Sequence, residues 1–273
     1  MTDHPHQMKR LKTGAFERRF SLAKAGFIAG ARLAGGAAGS MFASPAEREE
    51  KRRRALAEQA QYLVRELGKL KGSVVKIGQM MALYGEHFLP EEITRALHQL
   101  NDDTTALAWS TMEAVIREQL GEARFAELVI DPEPLGAASL AQVHRARRKS
   151  DGAELVLKVQ YPGVAQAIDA DLNLVTQMLR LTKVVPITAE FEEWLDEVRH
   201  MMHREVNYPQ EMETTRLFHS YLKNDARYIV PRVYPEYCTA HLLCMSFERG
   251  VPINSPAILG LPQARRNALA LSA

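Results

Sequence analysis

Lys158 stands inside an apolar run, Leu155-Val156-Leu157-Lys158-Val159, where a lone ammonium group needs a reason. The segment Pro134-Leu-Gly-Ala-Ala-Ser-Leu-Ala-Gln-Val143 precedes it and ends 15 residues ahead of Lys158. A turn of small residues can aim backbone N–H groups at phosphate oxygens, and an ammonium on a neighbouring strand can neutralise them. Taken without that context, a Lys in a strand reads as an edge residue whose stem lies on apolar surface. Alanine keeps its N–H but resists positive φ, so an alanine-rich turn should be stiffer than a glycine-rich one. A second unusual group is Lys76-Ile77-Gly78-Gln79, where Lys76 and Gln79 lie three apart on one helix face beside a helix-weakening glycine. A third, Glu197-x-x-His200-x-x-His203, stacks three potential ligands on successive helical turns. Glu-x-x-His makes a di-metal site when two helices each supply it, and with a single copy this one reads as a solvated face, so no metal site is assigned.

The elements that must position these groups follow from periodicity. Ser44-Pro45 with Glu47, Glu49 and Glu50 is a helix start, with a cap, a proline at the first position and acids in the first turn. Leu56, Ala60, Leu63, Leu67, Leu70, Val74, Ile77 and Met81 then recur at spacings of four and three, predicting one long helix with a packing seam. Helices are also expected over 90–100, 110–120, 165–183 and 190–222, the last interrupted at Tyr208-Pro209. The pattern turns strand-like near Pro132. Strands are predicted over 141–147 and 154–160, joined at Asp151-Gly152, and again over 228–233 and 241–247.

Composition sets the limits. The chain has 273 residues, 46% hydrophobic and 25% charged, which excludes a disordered, collagen-like or many-span membrane protein. Its net charge of +2 hides an asymmetry: residues 1–72 carry 15 Lys and Arg against 7 Asp and Glu, while the rest is net acidic. Residues 1–19 read as a basic arm without a signal peptide, and 21–43 as a Gly/Ala-rich segment that does not span a membrane. That segment is either a tether or a contact with anionic headgroups. Arg52-Arg53-Arg54 comes with no nucleic-acid motif, so no nucleic-acid partner is expected. Cys238 and Cys244 are read as reduced thiols on neighbouring strands in a cytoplasmic setting.

A small-residue turn between strands, followed by a lysine on the third strand, is the layout of a kinase N-terminal lobe. From about Glu58 to Ile253 the sequence resembles the UbiB/AarF/ADCK atypical kinase-like family. Lys76, Gly78 and Gln79 match its KxGQ signature, Gly136-Ala137-Ala138-Ser139 its alanine-rich loop, and Lys158 before Gln160-Tyr161-Pro162-Gly163 its third-strand lysine. Glu205-Val206-Asn207 aligns with its ExD motif, Glu211 with the helix-C glutamate that holds the lysine, and Met245–Gly250 with the inter-lobe hinge. Gly136 departs from the family alanine, which should loosen the loop, and Asn207 replaces the family Asp, losing a charge.

The resemblance implies an α+β chain: a segment 1–43, a helical extension 44–131, a kinase-like N-lobe over 132–250, and the start of a C-lobe at 251–273. It implies ATP or ADP with Mg²⁺, bound through Gly136, Ala137, Ala138, Ser139, Val143, Lys158, Glu211 and Met245, with Lys76, Gly78, Gln79, Glu205 and Asn207 gating the cleft. It further implies kinase or ATPase activity in support of isoprenoid-quinone (ubiquinone) biosynthesis, and lipid, quinone-biosynthesis or peripheral inner-membrane contacts. No catalytic-loop Asp/Asn pair or Asp-Phe-Gly follows the hinge in the given sequence, so this chain alone is expected to be catalytically incomplete. The rival reading is a non-catalytic, pseudokinase-like adaptor for lipid or protein.

Overall fold

A computed structural model describes residues 44–70, 72–98, 106–182 and 188–272. The expectations for residues 1–43 lie outside the described residues. The fold is mixed α+β, a four-stranded antiparallel sheet flanked by helices, as in a kinase-like N-lobe with a helical extension. The extension comprises α1 (Pro45–Leu70), α2 (Ser73–Tyr84), α3 (Glu91–Leu97) and α4 (Trp109–Ala126). Then come β1 (Leu128–Ala137), β2 (Ala141–Arg148), β3 (Glu154–Gln160), α5 (Val164–Thr182), α6 (Ala189–Glu205), α7 (Tyr208–Leu222), β4 (Leu242–Ser246), α8 (Pro256–Leu259) and α9 (Gln263–Ser272). The strands lie in the order β1-β2-β3-β4.

Helix α1 begins with the expected cap: the Glu47 amide donates to Ser44 Oγ at 3.3 Å and the Ser44 amide donates back to the Glu47 carboxylate at 2.8 Å. The single long helix is two helices. Gly72 precedes α2 with φ of 65°, a left-handed conformation that ends one helix and lets the next set off in a new direction. The regular part of α4 ends where expected, since Gly121 leaves helical geometry, and one further turn follows it. The strand expected over 228–233 is absent apart from one bridge between Val233 and Met245. Pro231 has no N–H to give a ladder, and the Arg232 amide turns to Ser246 Oγ at 2.9 Å.

The β2–β3 hairpin turns at Asp151-Gly152, with Gly152 at φ 73°. There the Arg148 guanidinium holds the Asp151 carboxyl down to about 2. Cys244 is buried on β4, whereas Cys238 lies just past the short 3₁₀ turn at Pro235–Tyr237 and not on a strand. Its Sγ accepts from the Cys244 amide at 3.3 Å, and burial pushes both thiols up.

The extension is fastened to the lobe. Helix α2 packs on α5 and α6, with Val74, Ile77 and Met81 in the core. Phe88, beyond α2, stacks on Trp194 of α6 with ring centroids 5.2 Å apart, and Ser73 Oγ donates to the buried Asp171 carboxylate of α5. The far end differs: α8 and α9 bury no residue, and Val251, Ile253 and Leu259 are exposed. No helix among the described residues is long and apolar enough to cross a membrane.

Candidate nucleotide site

Strand register places the sequence-derived residues on one sheet face. Gly136 of β1, Val143 of β2, Lys158 of β3 and Leu243 of β4 form one cross-strand row, and Met245 lies in the next row of the same face, opposite Val156. The alternate residues Leu155, Leu157 and Val159 point the other way and are fully buried. Lys158 is thus aimed by the same alternation that builds the core.

Helix α7 crosses that face and brings Glu211 to it. Lys158 Nζ lies 2.7 Å from both Glu211 carboxylate oxygens, and both side chains are about one-third exposed. Beneath the pair, Lys158 Nζ sits 4.9 Å from the ring centre of Tyr208, itself buried. Burial, with Glu211 and Glu205 nearby, pushes the Tyr208 hydroxyl well up, so the ring stays a neutral platform. The helix interruption expected at Tyr208-Pro209 falls two residues earlier, between Glu205 and Tyr208. Asn207 caps α7, its Oδ1 accepting from the Gln210 amide at 3.1 Å, and Pro209 sits in the first turn, where no helical N–H is needed.

A second ion pair closes the site from the extension: Lys76 Nζ of α2 lies 3.1 Å from Glu205 at the end of α6. Gly78 is buried on the same helix, and Gln79 is half-buried. Between α2, α6 and α7 lies a cavity of about 540 Å³ bordered by Met80, Lys158, Met201, Arg204, Glu205 and Glu211. The structure therefore brings Lys158, Glu211 and Glu205 to one cavity and Lys76 to its edge. Val143 and Met245 share the sheet face without lining it. The 136–139 segment closes the β1–β2 turn, where the Ala138 amide donates to the Ala141 carbonyl at 2.8 Å. Ser139 is buried there, Ala138 is exposed, and a Cβ built on Gly136 meets nothing within 4 Å, so the family alanine would fit.

Sequence reading missed Tyr208 and Gln160. Gln160 lies two residues past Lys158, hence on the same face, and that spacing was the available signal. His200 and Glu197 are exposed, and His203 meets Asp169 at 3.2 Å, which Arg199 also holds. Among the described residues no three His, Cys, Asp or Glu side chains gather as a metal site, and Asn207 Oδ1 is committed to its cap. The side chains gathered here do not by themselves make a Mg²⁺ site.

Residues 99–271 match the family described as the ABC1 atypical kinase-like domain. The chain belongs to the ABC1/UbiB-AarF-ADCK atypical kinase-like family. Among its relatives, the mitochondrial atypical kinase COQ8 of Schizosaccharomyces pombe is 31% identical over 208 residues, 75% of this chain and 33% of that protein. The AarF domain-containing protein kinase 1 of Gallus gallus is 34% identical over 191 residues, 69% of this chain and 36% of that protein. The chain spans about a third of the length of these two relatives. A solved structure of Rv3197 with erythromycin from Mycobacterium tuberculosis aligns at a TM-score of 0.46 and 28% identity, covering 76% of this chain and 52% of that one.

Proposed function

We propose that this family member binds ATP or ADP on the Lys158 face of its sheet. Lys158 engages the phosphates, Glu211 orients Lys158, the turn at Gly136–Ser139 covers the phosphates, and Val143 and Met245 border the base. The observation that carries the reading is the two-point contact of Glu211 on Lys158 at 2.7 Å, which spends two of the three ammonium donors and leaves one for a phosphate oxygen. Lys76, with Gly78, Gln79, Glu205 and Asn207 around it, gates the cleft, and the Lys76–Glu205 pair supports that role.

Kinase or ATPase turnover of the full-length protein, a role in isoprenoid-quinone biosynthesis, and a cytoplasmic location peripheral to the inner membrane face complete the proposal. The boundaries at 43 and 250 belong to it as well, while the one expected at 131 moves ahead of β1, which already begins at Leu128. Met80 and Met201 on the cavity wall, with Leu83 and Tyr84 exposed on α2, favour a second reading in which the cleft holds an apolar ligand or partner without turnover.

Thermal unfolding with and without ATP or ADP tests the first reading. Nucleotide should raise the unfolding temperature of the wild type, and Lys158→Ala or Glu211→Ala should remove most of that rise. An unchanged rise in both variants overturns it. Flotation with anionic liposomes tests the membrane contact: binding that survives deletion of residues 1–43 rules out the basic segment as the anchor.

A further inference from the structure

Gln160, the last residue of β3, is 3% exposed, and both ends of its amide are engaged. Nε2 donates to the Val206 carbonyl at 2.6 Å, and Oε1 is 3.0 Å from His241 Nδ1. Hydrogen-bond chemistry fixes the arrangement. A carbonyl only accepts, so the amide nitrogen faces Val206, the amide oxygen faces His241, and His241 Nδ1 carries its proton. The Gln160 amide also donates to the His241 carbonyl at 3.0 Å, tying the two residues through the backbone.

Val206 sits between Glu205, which holds Lys76, and Asn207, which caps the helix carrying Glu211. Strand β3 therefore grips the start of α7 at two points, Lys158 on Glu211 and Gln160 on Val206, about 7 Å apart along the strand. One ion pair fixes a distance, whereas two attachments fix an orientation. The second attachment is the more enclosed, since Gln160 is 3% exposed and Lys158 about 30%. A phosphate oxygen takes the third ammonium donor of Lys158, and the Gln160 grip keeps Glu211 on the other two while it binds.

We propose that Gln160 and His241 are positioning residues that set α7, and with it Glu211, against Lys158. The affinity arm of the test rests on the nucleotide-binding reading, while the hydrogen-exchange arm does not. In Gln160→Met the amides of residues 207, 208, 210 and 211 should exchange at least tenfold faster than in the wild type. Those of 155–159 and 242–246 should keep their protection. ATP affinity should fall at least fivefold. His241→Ala should move the 207–211 amides in the same direction by less. His241→Asn, whose side-chain amide can donate from near the Nδ1 position, should restore them. If Gln160→Met does not fold, the two His241 variants carry the test alone.

Unchanged exchange at 207–211, equal loosening of the turn and the sheet, or failure of His241→Asn to restore protection each overturns the proposal. A wild type that binds no ATP while the exchange pattern follows expectation refutes the nucleotide reading and supports the positioning role.

Discussion

The two faces of the sheet handle polar groups in opposite ways, although the residues concerned are neighbours in sequence. On the sealed face, Gln142 and His144 of β2 are fully buried. The Leu107 amide donates to Gln142 Oε1 at 2.9 Å, and Gln142 Nε2 reaches the Leu107 carbonyl at 3.3 Å and His144 Nε2 at 2.9 Å. His144 Nδ1 then donates to the Asp131 carbonyl at 2.8 Å. Every polar atom in that chain of contacts has its partner inside the protein. On the open face, one residue along each strand, Val143 and Lys158 look toward α7, and the Lys158–Glu211 pair borders a cavity. Both sets of polar groups have protein partners, but only the open face keeps a further donor, the third on Lys158, within reach of solvent. Partner supply and access to solvent, more than residue type, separate a structural polar group from a binding one.

The sharpest way to break this contrast is on the sealed face. Gln142→Leu strands the Leu107 N–H and C=O in the core, at a cost on the order of 3 kcal/mol. In a chain of this size that lowers the unfolding temperature by roughly 10 °C. Nucleotide affinity of the folded molecules should not change, as titration below the transition would show. On the open face, Lys158→Ala should weaken ATP at least tenfold, about 1.4 kcal/mol, while shifting the unfolding temperature by no more than a few degrees.

A smaller effect separates the faces by pH. Burial holds His144 below its ordinary 6.5, so the unfolded chain takes up a proton there that the folded chain resists. Stability should therefore decline as pH falls below about 6.5, and His144→Gln, which cannot titrate, should flatten that part of the profile in denaturant titrations between pH 7.5 and 5.5. The smallest expected change is at the Lys76–Glu205 pair. Lys76→Ala breaks a partly exposed pair worth about 0.2–1 kcal/mol, and chemical denaturation should detect little loss while ATP affinity holds or rises as the cleft loosens.

Much of this was legible because it is local. The Ser44 cap, the Asp151-Gly152 hairpin and the limits of β3 are written in adjacent residues and held in the fold. The motif at Glu205–Glu211, read only through family resemblance, brought Glu211 to Lys158 across 53 positions, a pairing that periodicity alone does not encode. What escaped was non-local. The apolar spacing of 56–81 runs straight through Gly72, since a seam records which face is buried and not whether the axis bends. Gln142 and Gln160 look like ordinary strand residues, because their partners Leu107 and Val206 lie 35 and 46 positions away. The expected 228–233 strand failed on its own proline: apolar content suggested a strand that Pro231 could not pair.

The most direct measurement is calorimetric titration of ATP into the wild type, Lys158→Ala and Gln142→Leu, alongside their unfolding temperatures. A crossed result is expected: Lys158→Ala loses affinity and keeps its stability, while Gln142→Leu loses stability and keeps its affinity. A Lys158→Ala variant that binds ATP as tightly as the wild type, or a Gln142→Leu variant that loses affinity while still folded, would contradict it.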